Sequence, residues 1–109
     1  MLTLAESIAE EKKLYRAADK ALNTQYKKLY AILDGAGRDK LMRAQRAWIA
    51  YRDANAMLRG HYSRGKTSAS AATVEESELR LYTALREMTE ARVTEIVAIG
   101  MEMQAATKR

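Results

Sequence analysis

Apolar side chains recur every third or fourth position along three stretches of this chain, the spacing of helices with one buried face. The clearest is the last, where Leu79, Tyr82, Leu85, Met88, Ile96, Ile99 and Met103 mark a helical row. The middle stretch carries two rows, Leu41, Ala44, Gln45, Trp48, Arg52 and Asn55 on one side and Met42, Ile49 and Ala56 on another. A helix apolar on two sides suits the centre of a bundle, touching both neighbours. In the first stretch Tyr15, Asp19, Leu22, Asn23, Tyr26 and Tyr30 fall along one side.

The boundaries follow from capping and breaking residues. Thr3-Leu4-Ala5-Glu6 reads as a capping box opening the first helix, and Asp34-Gly35-Ala36-Gly37 as its stop, with a glycine taking the left-handed conformation. The second helix is expected over 38–59, ending at Gly60. The Gly- and Ser-rich segment 60–72 reads as a loop, and Thr73-Val74-Glu75-Glu76 as a second capping box opening a helix over 73–105. The pattern predicts an all-α fold, one helical domain over 1–109 arranged as an antiparallel up-down-up three-helix bundle. The first helix, over 3–33, is long enough at about 30 residues to be broken or bent near Glu11 to Leu14.

Polar groups on these apolar rows are the informative exceptions. Gln45 and Arg52 lie about one turn either side of Trp48, and a buried guanidinium needs a carboxylate because leaving it unpaired costs several kcal/mol. Asp19, among inward-looking residues of the first helix, is the expected partner of Arg52, with Asn23 and Gln45 completing a structural polar network around Trp48. Such a network fixes helix register; the functional alternative is that part of it opens to a groove. Contacts to a partner are expected from Arg43, Arg46 and Asp53 on the middle helix and from His61, Tyr62, Arg64 and Lys66 in the loop.

Composition narrows the chemistry. Proline and cysteine are absent, which favours helix and excludes disulfides and thiolate sites, and the lone histidine, His61, makes a transition-metal site improbable. No metal, cofactor or catalytic constellation is expected: there is no Gly-x-Ser-x-Gly elbow, P-loop or His-Glu-x-x-His pattern. No apolar run approaches the roughly 20 residues of a membrane span. The net charge of +5 is uneven, with +1 over residues 1–37, +6 over 38–66 and −2 over 67–109.

Three blocks carry a resemblance. Ala18-Asp19-Lys20-Ala21-Leu22-Asn23-x-x-Tyr26 is followed by Leu41-x-x-Ala44-Gln45-Arg46-Ala47-Trp48-Ile49-x-Tyr51-Arg52-Asp53-Ala54, then by Met88-Thr89-Glu90-Ala91-Arg92-Val93-Thr94-Glu95-Ile96. In order and spacing they resemble the LprI-like lysozyme-inhibitor N-terminal domain family of bacteria, most specifically in the Gln-Arg-Ala-Trp-x-x-Tyr-Arg-Asp block. The resemblance implies a helical, non-enzymatic envelope protein, periplasmic or secreted, that binds a protein partner such as a lysozyme-type glycan hydrolase. It also implies cysteines near two neighbourhoods that here hold Ala56 and Ala84. If those cysteines pair, this chain lacks a link between its second and third helices worth about 2–4 kcal/mol.

Two other kinds of partner follow from the residues themselves. The +6 middle segment would draw an anionic polymer, nucleic acid or envelope polyanion. The third helix, apolar on more than one side, offers surface for a homodimer. The opening Met1-Leu2-Thr3-Leu4-Ala5-Glu6 has no signal-peptide character, so a cytoplasmic location is expected if Met1 is the native start. Lysozymes are commonly basic; Glu75, Glu76, Glu78 and Glu87 on the third helix are the groups that would complement one.

Overall fold

The computed structural model describes residues 1–61 and 71–107, which form three α-helices: α1 (Leu4–Ile32), α2 (Gly35–Arg59) and α3 (Ala71–Thr107). The fold is all-α. Among the described residues no helix is long and apolar enough to cross a membrane.

The capping box at the start of α1 forms. The Thr3 hydroxyl accepts from the Glu6 N–H at 3.1 Å, and the Glu6 carboxylate accepts from the Thr3 N–H at 3.3 Å. α1 then runs unbroken through Glu11–Leu14, where its length leaves room for a break or bend. No Gly or Pro interrupts it, and this stretch is tied sideways to α3: Glu11 accepts from Arg86, and Lys12 pairs with Glu78 at 2.9 Å.

The link to α2 is shorter than the sequence suggests. Leu33 and Asp34 are both extended, and Asp34 caps α2 by accepting from the Gly37 N–H at 2.8 Å. Gly35 and Gly37 therefore belong to the first turn of α2, and no glycine among the described residues takes a positive φ. A side-chain acceptor at the N-cap wins over a glycine C-cap because it satisfies orphan donors of α2 directly. Arg38 folds back over the Tyr30 ring at 4.7 Å and donates to the Tyr30 carbonyl at 2.9 Å, tying off the end of α1. At the other end of the molecule α3 begins at Ala71, so Thr73 lies inside the helix rather than capping it.

Contacts along the helices set the topology. Lys12 and Tyr15 of α1 meet Glu78 and Tyr82 of α3, and Leu29 comes beside Gly100, so α1 and α3 run parallel. Asn55 of α2 meets Met88 and Gln45 meets Arg92, so α2 runs antiparallel to both. The up-down-up order holds, but the central helix is α3. It packs against α1 and α2, while α1 and α2 scarcely touch. The molecule is accordingly 61 × 30 × 17 Å, long and flat, with α1 and α2 splayed on either side of α3. Of the apolar residues of α3 that suggested a dimer surface, those from Leu79 to Val93 are half-buried and Ile96 is buried, while Val97, Met101 and Met103 stay exposed.

The core changes character along the bundle. Leu22, Leu29, Leu41 and Ile96 form its buried cluster near the α1–α2 link, joined by Tyr26, Leu33, Trp48, Val93 and Ile99. Toward the far end of α2 the layer is small: Ala56 is 1% exposed, Ala84 is 0%, and Gly60 is buried. Here the backbones close up. A Cβ at Gly60 would lie 3.0 Å from the Leu81 Cβ and 3.1 Å from the Ser77 carbonyl oxygen. α3 also closes the orphan carbonyls of α2, since Ser77 donates to the Gly60 carbonyl and Arg80 Nε to the Arg59 carbonyl at 3.1 Å. Gly60→Ala should therefore destabilise the fold by about 1–3 kcal/mol through overpacking against backbone, read as a lower urea midpoint.

Candidate functional site

The most structured cluster is centred on Trp48, the single tryptophan, half-buried on α2. One turn along, the Arg52 guanidinium lies 5.0 Å from the indole centroid. The Arg92 guanidinium, from α3, lies 5.7 Å from it. Both arginines are only 8% exposed. Arg52 also reaches across to α1, 5.6 Å from the Tyr15 ring, and Tyr15 packs on Tyr82 of α3 at 6.4 Å, with Lys12 over the far ring at 4.9 Å. A chain of cations and rings thus runs through all three helices, from Lys12 through the Tyr82–Tyr15 pair, Arg52 and Trp48 to Arg92. Each contact is worth about 0.5–2 kcal/mol, more where water is excluded.

The splay of α1 and α2 explains this arrangement. Backbones that stand apart are bridged only by long or large side chains, and arginine and tryptophan supply both reach and apolar area. The charges are neutralised at the solvent edge. Arg52 Nε and Nη2 lie 2.9 Å from Asp53 Oδ1, while Arg92 donates from Nε to Gln45 Oε1 at 3.1 Å and from Nη1 to Glu95.

The expected Asp19–Arg52 bridge is therefore replaced. Asp53 is the neighbour of Arg52 on its own helix, whereas the short Asp19 side chain belongs to a helix that α2 scarcely touches. Asp19 is half-buried near Tyr15. Burial pushes the Tyr15 hydroxyl above its ordinary pKa; Arg52 pulls it down, and Asp19 and Asp53 add smaller upward pushes. Asn23 is exposed, and Gln45 serves Arg92 rather than Arg52. Gln45, Trp48 and Arg52 are brought together, and Arg92 is the member that sequence reasoning missed. Its signal was available: an arginine one turn from Ile96 on an apolar row, the same anomaly that singled out Arg52.

Thr89, one turn before Arg92, is 0% exposed, and its hydroxyl has no hydrogen-bond partner among the described residues. A buried unpaired hydroxyl is unfavourable, and valine keeps its shape. Thr89→Val should raise stability by about 1 kcal/mol, seen as a higher urea midpoint at unchanged slope.

A second polar cluster locks α1 to α3. Arg86 donates to Glu11 and to Glu90, the latter at 2.7 Å. The hydrogen bond that Arg86 donates to Glu11 holds its guanidinium above its usual pKa, against burial, which pulls the other way.

Of the expected partner contacts, Arg43, Arg46, Asp53 and His61 are exposed, with Asp53 engaged by Arg52. Tyr62, Arg64 and Lys66 lie outside the described residues. α2 also exposes Tyr51, Met57 and Leu58, at 63%, 67% and 70%. Of the acidic set on α3, Glu76 and Glu87 are exposed and Glu75 is half-buried. Glu78 is held by Lys12. Among the described residues no group of three His, Cys, Asp or Glu side chains is placed to hold a metal ion.

Residues 3–96 match the family described as lysozyme inhibitor LprI. The chain belongs to the LprI family. The match takes in α1, α2 and most of α3, and so every member of the cation–aromatic chain from Lys12 to Arg92. No curated protein and no solved structure matches this LprI-family chain.

Proposed function

We propose that the protein acts without catalysis, by binding a lysozyme-type glycan hydrolase and blocking it. The observation that carries this reading is the family match over residues 3–96. The side-chain contacts that tie the three helices together support it, because a surface already ordered loses little entropy on docking.

The groups that would meet a basic enzyme are exposed carboxylates of α3, with Arg80 between them turned to the Arg59 carbonyl. Glu76 and Glu87 are about three turns apart on one helical face, and Glu87 is tied only loosely, 3.8 Å from both Arg59 and Arg86. Exposed carboxylates of this kind steer association and set its salt dependence more than they set affinity.

The test is a titration of lytic activity for several lysozyme types. Activity should fall to zero at an equimolar ratio for at least one type. The Glu76→Gln/Glu87→Gln variant should associate about tenfold more slowly at low salt. Activity that stays flat across all types overturns the proposal. The competing reading, an anionic polymer drawn to Arg43 and Arg46, would instead show as salt-sensitive binding to a polyanion that Arg43→Gln/Arg46→Gln abolishes.

A further inference from the structure

We infer that the groove between α1 and α2, near their link, is a binding site for a single-chain amphiphile with a carboxylate head, of the fatty-acid class. The groove follows from the splay of the two helices. Farther along the bundle the space between α1 and α2 is filled by Trp48, Arg52 and Tyr15; toward the link it is left open, with a volume of about 860 Å³. That falls within the roughly 300–1,000 Å³ of small-molecule sites.

Its walls come from all three helices and are apolar, including Ile32 and Leu33 of α1, Leu41 of α2, and Ile99 and Met103 of α3. Arg92 lies at the inner end of the α3 wall, and Lys40 also lines the groove. Arg92 uses Nε on Gln45 and Nη1 on Glu95, while Nη2 has no acceptor among the described residues. Arg92 lines the groove, and a guanidinium with a donor to spare suits an anionic oxygen. Glu95 already pairs with Arg92 at the solvent edge, so within the groove Arg92 serves as a hydrogen-bond donor, and Lys40, which makes no ion pair among the described residues, supplies the free charge; the one carboxylate in the lining, Asp34, has its Oδ1 engaged by the Gly37 N–H.

Length sets the chain. From Arg92 to Met103 along α3 is about 16 Å at the helical rise, room for an extended chain of about twelve carbons. With the head on Arg92, the tail lies along Leu41, Ile99 and Met103 and leaves near the half-exposed Met103. This site is independent of the lysozyme reading, and its test contains no lysozyme, so either can fail alone.

The test is calorimetric titration of the protein with dodecanoate below its micelle concentration, with dodecanol as the uncharged control. Fluorescence of Trp48, beside Arg92, gives a second readout. Dodecanoate should bind saturably at an equimolar ratio, about tenfold more tightly than dodecanol. Met103→Glu, at a position exposed enough to accept a charge, should weaken dodecanoate binding by about tenfold while the circular dichroism is unchanged. Lys40→Gln, also exposed, should weaken dodecanoate and leave dodecanol unaffected. Absence of saturable binding, equal affinity for acid and alcohol, or an unchanged Met103→Glu variant would each overturn the inference.

Discussion

Trp48→Ala should be the most damaging single substitution in the cluster, lowering stability by about 3–5 kcal/mol. The indole is the one group that both Arg52 and Arg92 cover, at 5.0 and 5.7 Å. Removing it leaves a cavity where α2 faces α3, and two guanidiniums that keep their carboxylates but lose the ring between them. Domains of this kind have about 5–15 kcal/mol in total, so the variant should be largely unfolded at modest urea concentrations. Equilibrium urea unfolding followed by circular dichroism measures this. A loss below about 1 kcal/mol would mean that the tryptophan packs as an ordinary surface side chain.

The largest gain should come from a disulfide at the small-residue layer. Ala56 and Ala84 are 1% and 0% exposed. Antiparallel contacts bracket them on both sides: Asn55 Nδ2 reaches Met88 Sδ at 3.1 Å, and Gly60 abuts Ser77 and Leu81. The two alanines therefore occupy one layer between helices whose backbones are unusually close. The Ala56→Cys/Ala84→Cys variant should form a disulfide under oxidising conditions and be about 2–4 kcal/mol more stable oxidised than reduced. Thiol titration and urea unfolding in both redox states check this. Thiols that stay free, or an oxidised form no more stable than the reduced one, would show that the layer does not bring these positions face to face.

Much of the fold could be read from local pattern. Thr3 and Glu6 form the capping box that their spacing suggests, and the apolar row of α3 from Leu79 to Met103 lies within one continuous helix. The misreadings share one cause. Periodicity tells which sides of a helix are apolar but not which helix will occupy the middle. α2, with apolar positions on two sides, was the natural candidate, and α3 took the place because α1 and α2 stand apart. From that follow the idle Asp19, the turn of Arg52 to its neighbour Asp53, and the recruitment of Arg92. The Asp34 N-cap was equally invisible, since the same Asp-Gly-Ala-Gly run can end one helix or begin the next. On the candidate site, Gln45, Trp48 and Arg52 were legible because polar groups on an apolar row demand partners. The identity of those partners is a tertiary fact that no spacing within one helix encodes.

The same geometry ties the proposed function to the scaffold. The exposed carboxylates of α3 and the exposed apolar side chains of α2 sit on adjacent helices, held together by the Lys12-to-Arg92 chain, while the Arg86 pairs tie α3 to α1. Loss of the chain should thus loosen any surface built on α2, even where no contacting residue is changed.

A double-mutant cycle between Trp48→Leu and Arg92→Met, read by urea unfolding, tests the clamp on the indole most directly. If the stacked guanidinium and ring hold α2 to α3, the two substitutions should be coupled by about 0.5–2 kcal/mol. Losses that add to within about 0.3–0.5 kcal/mol would contradict the account, because the tryptophan and the arginine would then be acting independently.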